Sequence, residues 1–141
     1  MSVAVTTTRV TSTLHLLAGP AVNAVLLTDV APGPGVPFTL VDSGYPGYAA
    51  ALREAVSGLG LAWADLAAVL VTHAHIDHLG ALPALLAGRT GVPVLTGNAE
   101  ARHVRGEVHE SATAADLLPR LTRHGVAAWT VHILANGATA T

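Results

Sequence analysis

An α/β fold of the α+β type is the architecture this sequence predicts, and three observations predict it. A continuous apolar run, Leu66 to Val71, has the length and composition of a buried strand and ends directly on a histidine cluster. Two shorter apolar runs, Ala21 to Leu27 and Phe38 to Val41, flank a Pro32-Gly33-Pro34-Gly35 segment as hairpin strands flank a loose turn. Leucines at helical spacing follow both the second hairpin strand and the histidine cluster.

In chain order, Met1 to Val10 carries threonines where a secretion signal needs an apolar stretch, so the chain reads as unexported. Asp42-Ser43-Gly44-Tyr45-Pro46-Gly47 is a turn cluster. After it, Leu52, Ala55, Val56 and Leu59 predict a helix over about 47–58, stopped by Gly58 and Gly60. Leu66 to Val71 predicts a strand covered on both faces. Beyond the histidines, Leu79, Leu82, Leu85 and Leu86 predict a helix with Pro83 in its first turn, where a missing N–H costs nothing. Val92 to Leu95 predicts a strand, about 97–105 a helix, and Thr113-Ala-Ala-Asp116 a capping box opening another. Val126 to Leu134 predicts a last strand before a turn at Ala135-Asn136-Gly137.

Composition narrows the chemistry. The 141 residues, 51% apolar, suffice for one domain with a real core. Seven basic and nine acidic residues give a net charge of −2 with no basic stripe, so nucleic acid is not indicated as a partner. No apolar run approaches a membrane span. With no cysteine there is neither a disulfide framework nor a thiolate site, so a metal here must be held by imidazole and carboxylate. The expected compartment is the cytoplasm.

The chemistry-bearing residues are His73-Ala74-His75-Ile76-Asp77-His78. His73 and His75, two apart on extended backbone, point to the same side and can share one cation. Asp77 and His78, in the turn before a helix, can swing toward a second cation beside the first. This donor set suits Zn²⁺ and also Fe or Mn. Two such ions bridging a water would lower its pKa toward ~7, which is a hydrolase design. The remaining histidines, His15, His103, His109, His124 and His132, share no such spacing and read as surface or core residues, with His132 kept as an outside candidate for a further ligand.

The segment Val69-Leu-Val-Thr-His-Ala-His-Ile-Asp-His-Leu-Gly80, preceded by Thr39-Leu-Val-Asp-Ser-Gly44, resembles the metallo-β-lactamase superfamily over about 21–107. The resemblance implies a four-layer αββα sandwich of which this chain, one truncated domain over 1–141, forms the N-terminal half. It implies that His73 and His75 bind a first ion and Asp77 and His78 a second, that Asp77 is also the catalytic residue orienting the attacking water, and that Asp42 supports the site from behind. It implies metal-dependent hydrolysis of a small-molecule ester, thioester, lactone or amide, with two zinc ions in a complete site. The third histidine, bridging aspartate and last histidine usual in the family have no counterpart here. Two consequences are expected: a first ion short of one ligand, and an apolar sheet face left open to self-association. The alternatives are a non-enzymatic remnant that binds metal weakly, or a half-site completed by a partner chain, a second copy included. Tyr45 and Tyr48 could edge the pocket; Trp63 and Trp129 read as core or rim.

Overall fold

The computed structural model describes residues 3–108 and 118–138. Six strands form one mixed sheet in sequential order: β1 (Thr6–Arg9), β2 (Leu14–Ala18), β3 (Asn23–Thr28), β4 (Phe38–Val41), β5 (Leu66–Val71) and β6 (Val94–Thr96). The first four pair antiparallel through short turns. β4, β5 and β6 pair parallel, so each of their connections carries helix: α1 (Ala49–Gly58) between β4 and β5, then α2 (Ile76–Leu79) and α3 (Leu82–Leu85) between β5 and β6. Among the described residues two further helices follow, α4 (Ala101–Val104) and α5 (Val126–Ala135).

Side-chain alternation gives the sheet two unlike faces. On one, Leu17, Ala24, Leu26, Phe38, Leu40, Val69 and Val71 join Leu52 and Val56 of α1, Leu82 and Leu85 of α3, and Ile133 of α5 in a single buried cluster. On the other, Leu16, Val25, Val41, Leu70 and Leu95 stand in register across five strands, and none belongs to that cluster. Leu70 is 39% exposed and Leu95 53%. Among the described residues strand β5 is therefore covered on one face only, not on both, and the open face is apolar and uncharged along this row.

The predicted hairpin and the helix near 47–58 are present, the latter entered through a 3₁₀ turn at Pro46–Tyr48. The helix expected after the histidines divides into α2 and α3 at Gly80 and Ala81. Gly80 is packed so tightly that a Cβ would strike the Ile76 carbonyl and the Pro46 ring, and this contact brings the motif against the Asp42 turn. The strand expected over Val126 to Leu134 is instead helix α5. The segment reads both ways: Trp129-Thr130-Val131-His132-Ile133 alternates as a strand does, while Val126, Thr130 and Ile133 recur at helical spacing and the paired alanines favour helix, so periodicity alone could not decide it. The helix near 97–105 shortens to α4. The Thr113 to Asp116 capping box, like His109, lies outside the described residues. Strands β1 and β2 were not anticipated; β1 is a threonine-rich, fully exposed edge with no apolar face to betray it. Among the described residues no helix is long and apolar enough to cross a membrane.

Candidate metal centre

The histidine cluster occupies the loop where β5 ends and α2 begins, at the C-terminal edge of the parallel strands. This is the edge at which open α/β sheets present ligand sites, because the chain leaves the sheet there and its side chains are freed. The neighbouring parallel strand, β4, ends at the same edge on Asp42.

Asp42 organises the site. It is 6% exposed and adopts φ 59°, the only described non-glycine residue in left-handed backbone, a conformation that aspartate tolerates better than most residues. Its Oδ1 accepts the Thr72 backbone N–H at 2.8 Å, and its Oδ2 accepts the Thr72 hydroxyl and His78 Nδ1, each at 2.8 Å. The turn is locked from the other side as well. Ser43 donates its N–H and its hydroxyl to the His78 carbonyl at 2.7 and 3.0 Å, and Ala81 donates to the Gly44 carbonyl at 3.1 Å.

These bonds fix the imidazole tautomers. An ionised carboxylate only accepts, so the Thr72 hydroxyl donates to Asp42, and its oxygen is left to accept from His73 Nδ1 at 3.1 Å. His78 likewise gives its Nδ1 proton to Asp42. With each Nδ1 turned to an oxygen, Nε2 is the ring nitrogen left for an ion, and in His78 it lies beside Asp77 Oδ2. This is the usual arrangement of metal-binding histidines, whose second nitrogen donates to a carboxylate or another oxygen.

The three imidazoles are in contact, with ring centroids 4.7 Å apart for His73 and His75 and 3.9 Å for His73 and His78. Asp77 Oδ2 lies 3.4 Å from His78 Nε2, and about a third of the Asp77 side chain reaches solvent. The sequence-predicted quartet is thus brought together. Its donor chemistry and tautomers fit a borderline divalent cation, although among the described residues no three His, Asp or Glu side chains close around a single point.

The other candidates separate from the cluster. His132 is on helix α5, not a strand, and its Nε2 is engaged by the Tyr48 hydroxyl at 2.9 Å. Tyr45 and Tyr48 are buried, at 4% and 2% exposure, as core residues beneath the Asp42 turn. Trp63 packs edge-on to Phe38 and donates to the Leu85 carbonyl, while Trp129 is exposed. One residue that the sequence reading overlooked also reaches the site: Glu100 Oε2 accepts the Ala74 N–H at 3.2 Å.

Tyr45 registers the Asp77 charge. Its hydroxyl is pushed up to about 12, first by burial, then by the Asp77 carboxylate and Tyr48. The unfolded chain ionises this group near its ordinary value of about 10, while the folded chain keeps the proton, so folding stability should hold below that pH and fall as pH rises from about 10 to about 12. The Tyr48 hydroxyl is raised in the same direction by burial. Tyr45→Phe is therefore expected to make the alkaline fall shallower without abolishing it, which urea midpoints measured at several pH values would read. An unchanged slope would mean that Tyr45 is not the buried titrating group.

The sequence model of one family, described as the Metallo-beta-lactamase superfamily, matches residues 19–137. Among solved structures, the chain is similar to a metallo-beta-lactamase from Cronobacter sakazakii at 27% identity and a TM-score of 0.57, covering 68% of this chain and 36% of that one. It is similar to the metallo-beta-lactamase SMB-1, solved with mercaptoacetic acid, at 26% identity and a TM-score of 0.64, covering 78% of this chain and 40% of that one. A third, MIM-2 Metallo-Beta-Lactamase, stands at 27% identity and 0.58, with 72% and 36% covered. The chain thus spans well under half the length of these structures. No curated protein matches it.

Proposed function

We propose, on the premise that this chain belongs to the metallo-beta-lactamase superfamily, that it is the ligand-bearing part of a metal-dependent hydrolase acting through His73, His75, Asp77 and His78. The observation that carries the reading is the hydrogen-bonded network of Asp42 and Thr72, which engages Nδ1 of His73 and His78 and so turns Nε2 of each ring toward the proposed ions, His78 Nε2 beside Asp77. A divalent ion supplies Lewis-acid polarisation of a carbonyl oxygen and brings the pKa of its water toward ~7.

In this reading His73 and His75 hold the first ion, and His78 with Asp77 a second. Asp77, partly open to solvent, is the catalytic residue: its carboxylate orients the attacking water. Asp42 keeps the His78 ring in one tautomer and one orientation, as the partners of ligating histidines do. Zinc is the proposed ion, with Fe or Mn suited to the same donors. The proposed substrates are small-molecule esters, thioesters, lactones or amides, and the proposed setting is the cytoplasm.

One observation favours a second reading. Among the described residues no three donors close around one point, whereas catalytic zinc has three protein ligands and an open position. A chain that binds metal weakly and hydrolyses nothing, or one whose site is completed by a partner chain, would show this arrangement.

Elemental analysis of purified protein alongside its mass in solution separates the readings. About two ions per monomeric chain, with turnover of thioesters or lactones, supports the hydrolase; weak metal without turnover supports the remnant; turnover only in an oligomer supports completion by a partner. In the double variant His75→Ala, Asp77→Ala each proposed ion loses a ligand, and tight metal binding is expected to disappear. Unchanged metal content in that variant would sink the site assignment.

A further inference from the structure

We infer that Glu100 is a positioning residue for the metal-binding loop, a carboxylate clamp on the peptide that separates His73 from His75. The inference rests on the proposed function above for what the loop holds, and on the hydrogen bonding for how it is held.

Glu100 comes from 26 residues beyond Ala74, and the fold delivers it there by a short and well-tied route. Strand β6 pairs parallel with β5 so that Thr96 stands beside Val71, and the Thr96 hydroxyl donates to the Val71 carbonyl at 2.8 Å. The two strands thus end together at the site's edge. A turn follows, closed by the Glu100 N–H on the Gly97 carbonyl at 3.0 Å, and the Glu100 carbonyl accepts the Val104 N–H at 2.9 Å as α4 begins. The backbone of Glu100 is fixed on both sides, and its Oε2 accepts the Ala74 N–H at 3.2 Å.

Ala74 is the single residue between the two proposed ligands of the first ion. Rotation of its peptide is the softest motion that would swing His73 and His75 apart, since the segment has left the sheet and its ladder bonds. An acceptor held outside the loop, in the turn that opens α4, opposes that rotation before any ion arrives. A carboxylate gives a stronger bond to an N–H than a neutral acceptor does. Glu100 takes no part in the ion pairs among the described residues, all of which involve Asp42, Asp77 or Glu107, so no cation competes for it there.

The test compares Glu100→Ala, which removes the acceptor, with Glu100→Gln, which keeps an acceptor oxygen and loses the charge. Zinc affinity is read by competition with a chromogenic chelator, and Ala74 amide exchange is read on the metal-free protein. Removing a hydrogen-bond partner of a ligand itself costs about 10–100-fold in affinity; Glu100 holds the peptide between two ligands, so Glu100→Ala should weaken zinc at the low end of that range, by about tenfold, while Glu100→Gln stays within about threefold of the parent. Ala74 exchange should quicken in the alanine variant and not in the glutamine one. Unchanged zinc affinity and unchanged Ala74 protection in Glu100→Ala would overturn the clamp, as would a glutamine variant that loses as much as alanine, which would assign the effect to charge alone. A parent chain that takes up no zinc overturns the proposed function instead, and Ala74 exchange in the metal-free protein then decides the clamp by itself.

Discussion

Asp42→Ala is expected to destabilise the fold by about 3–5 kcal/mol, a large share of the 5–15 kcal/mol typical of a whole domain. The carboxylate is buried and accepts three hydrogen bonds, from the Thr72 N–H, the Thr72 hydroxyl and His78 Nδ1. A hydrogen bond to a charged acceptor is worth roughly 1.5–3 kcal/mol, and the loss is smaller here for Thr72, which is open to water, and for His78 Nδ1, which keeps Thr72 Oγ1 at 3.4 Å. Backbone adds to this. Residue 42 sits at φ 59°, where alanine is disfavoured by about 1–2 kcal/mol and asparagine or glycine is tolerated. The ranking expected in thermal unfolding is therefore parent, then Asn, then Gly, then Ala, with a Tm loss of ~10 °C or more for Ala. Metal affinity should fall in the same order, because the His73 and His78 tautomers depend on this network. An alanine variant that melts with the parent would show that neither the bonds nor the backbone strain are as described.

That ranking joins a signal visible in the sequence to one that was not. Asp42-Ser43-Gly44 could be seen to end a strand, and a supporting role for Asp42 followed from the resemblance, but its left-handed backbone and its triple acceptance are tertiary facts. The same division runs through the chain. The run Leu66 to Val71, leading to His73, was legible as a strand from its apolar composition and length, although among the described residues only one of its faces is covered, and the hairpin strands because Pro and Gly separate two β-branched runs. Strand β1 was not legible, since Thr6–Arg9 earns its place by hydrogen bonding along an edge and buries nothing. Helix α5 differs from the strand expected there because the alternation of Trp129-Thr130-Val131-His132-Ile133 fits a strand while Val126, Thr130 and Ile133 fit a helix. Within the site, the histidines and Asp77 could be found by local spacing. Glu100 could not, because its contact with Ala74 depends on two strands ending side by side, which no local pattern encodes.

The contrast between Val69→Asp and Leu70→Asp should be the sharpest in the molecule, because adjacent residues of β5 face opposite environments. Val69 is fully buried in the cluster that joins the sheet to α1 and α3. An aspartate there has no basic partner among the residues around it, and an unpaired buried carboxylate either drives unfolding or takes up a proton at a cost of several kcal/mol. Val69→Asp is expected to lose the cooperative fold, read as loss of the far-ultraviolet signal and of a thermal transition. Leu70 is 39% exposed on the open row with Leu16, Val25, Val41 and Leu95. An aspartate at this position is solvated, so its effect on stability should stay within about 1 kcal/mol. It also interrupts an apolar stripe that the parent chain presents to any second hydrophobic surface, so dye binding and light scattering should both fall relative to the parent. Equal damage from the two substitutions would mean that the open face is covered in solution, by another copy or by chain that returns to it, and light scattering on the parent would tell those apart.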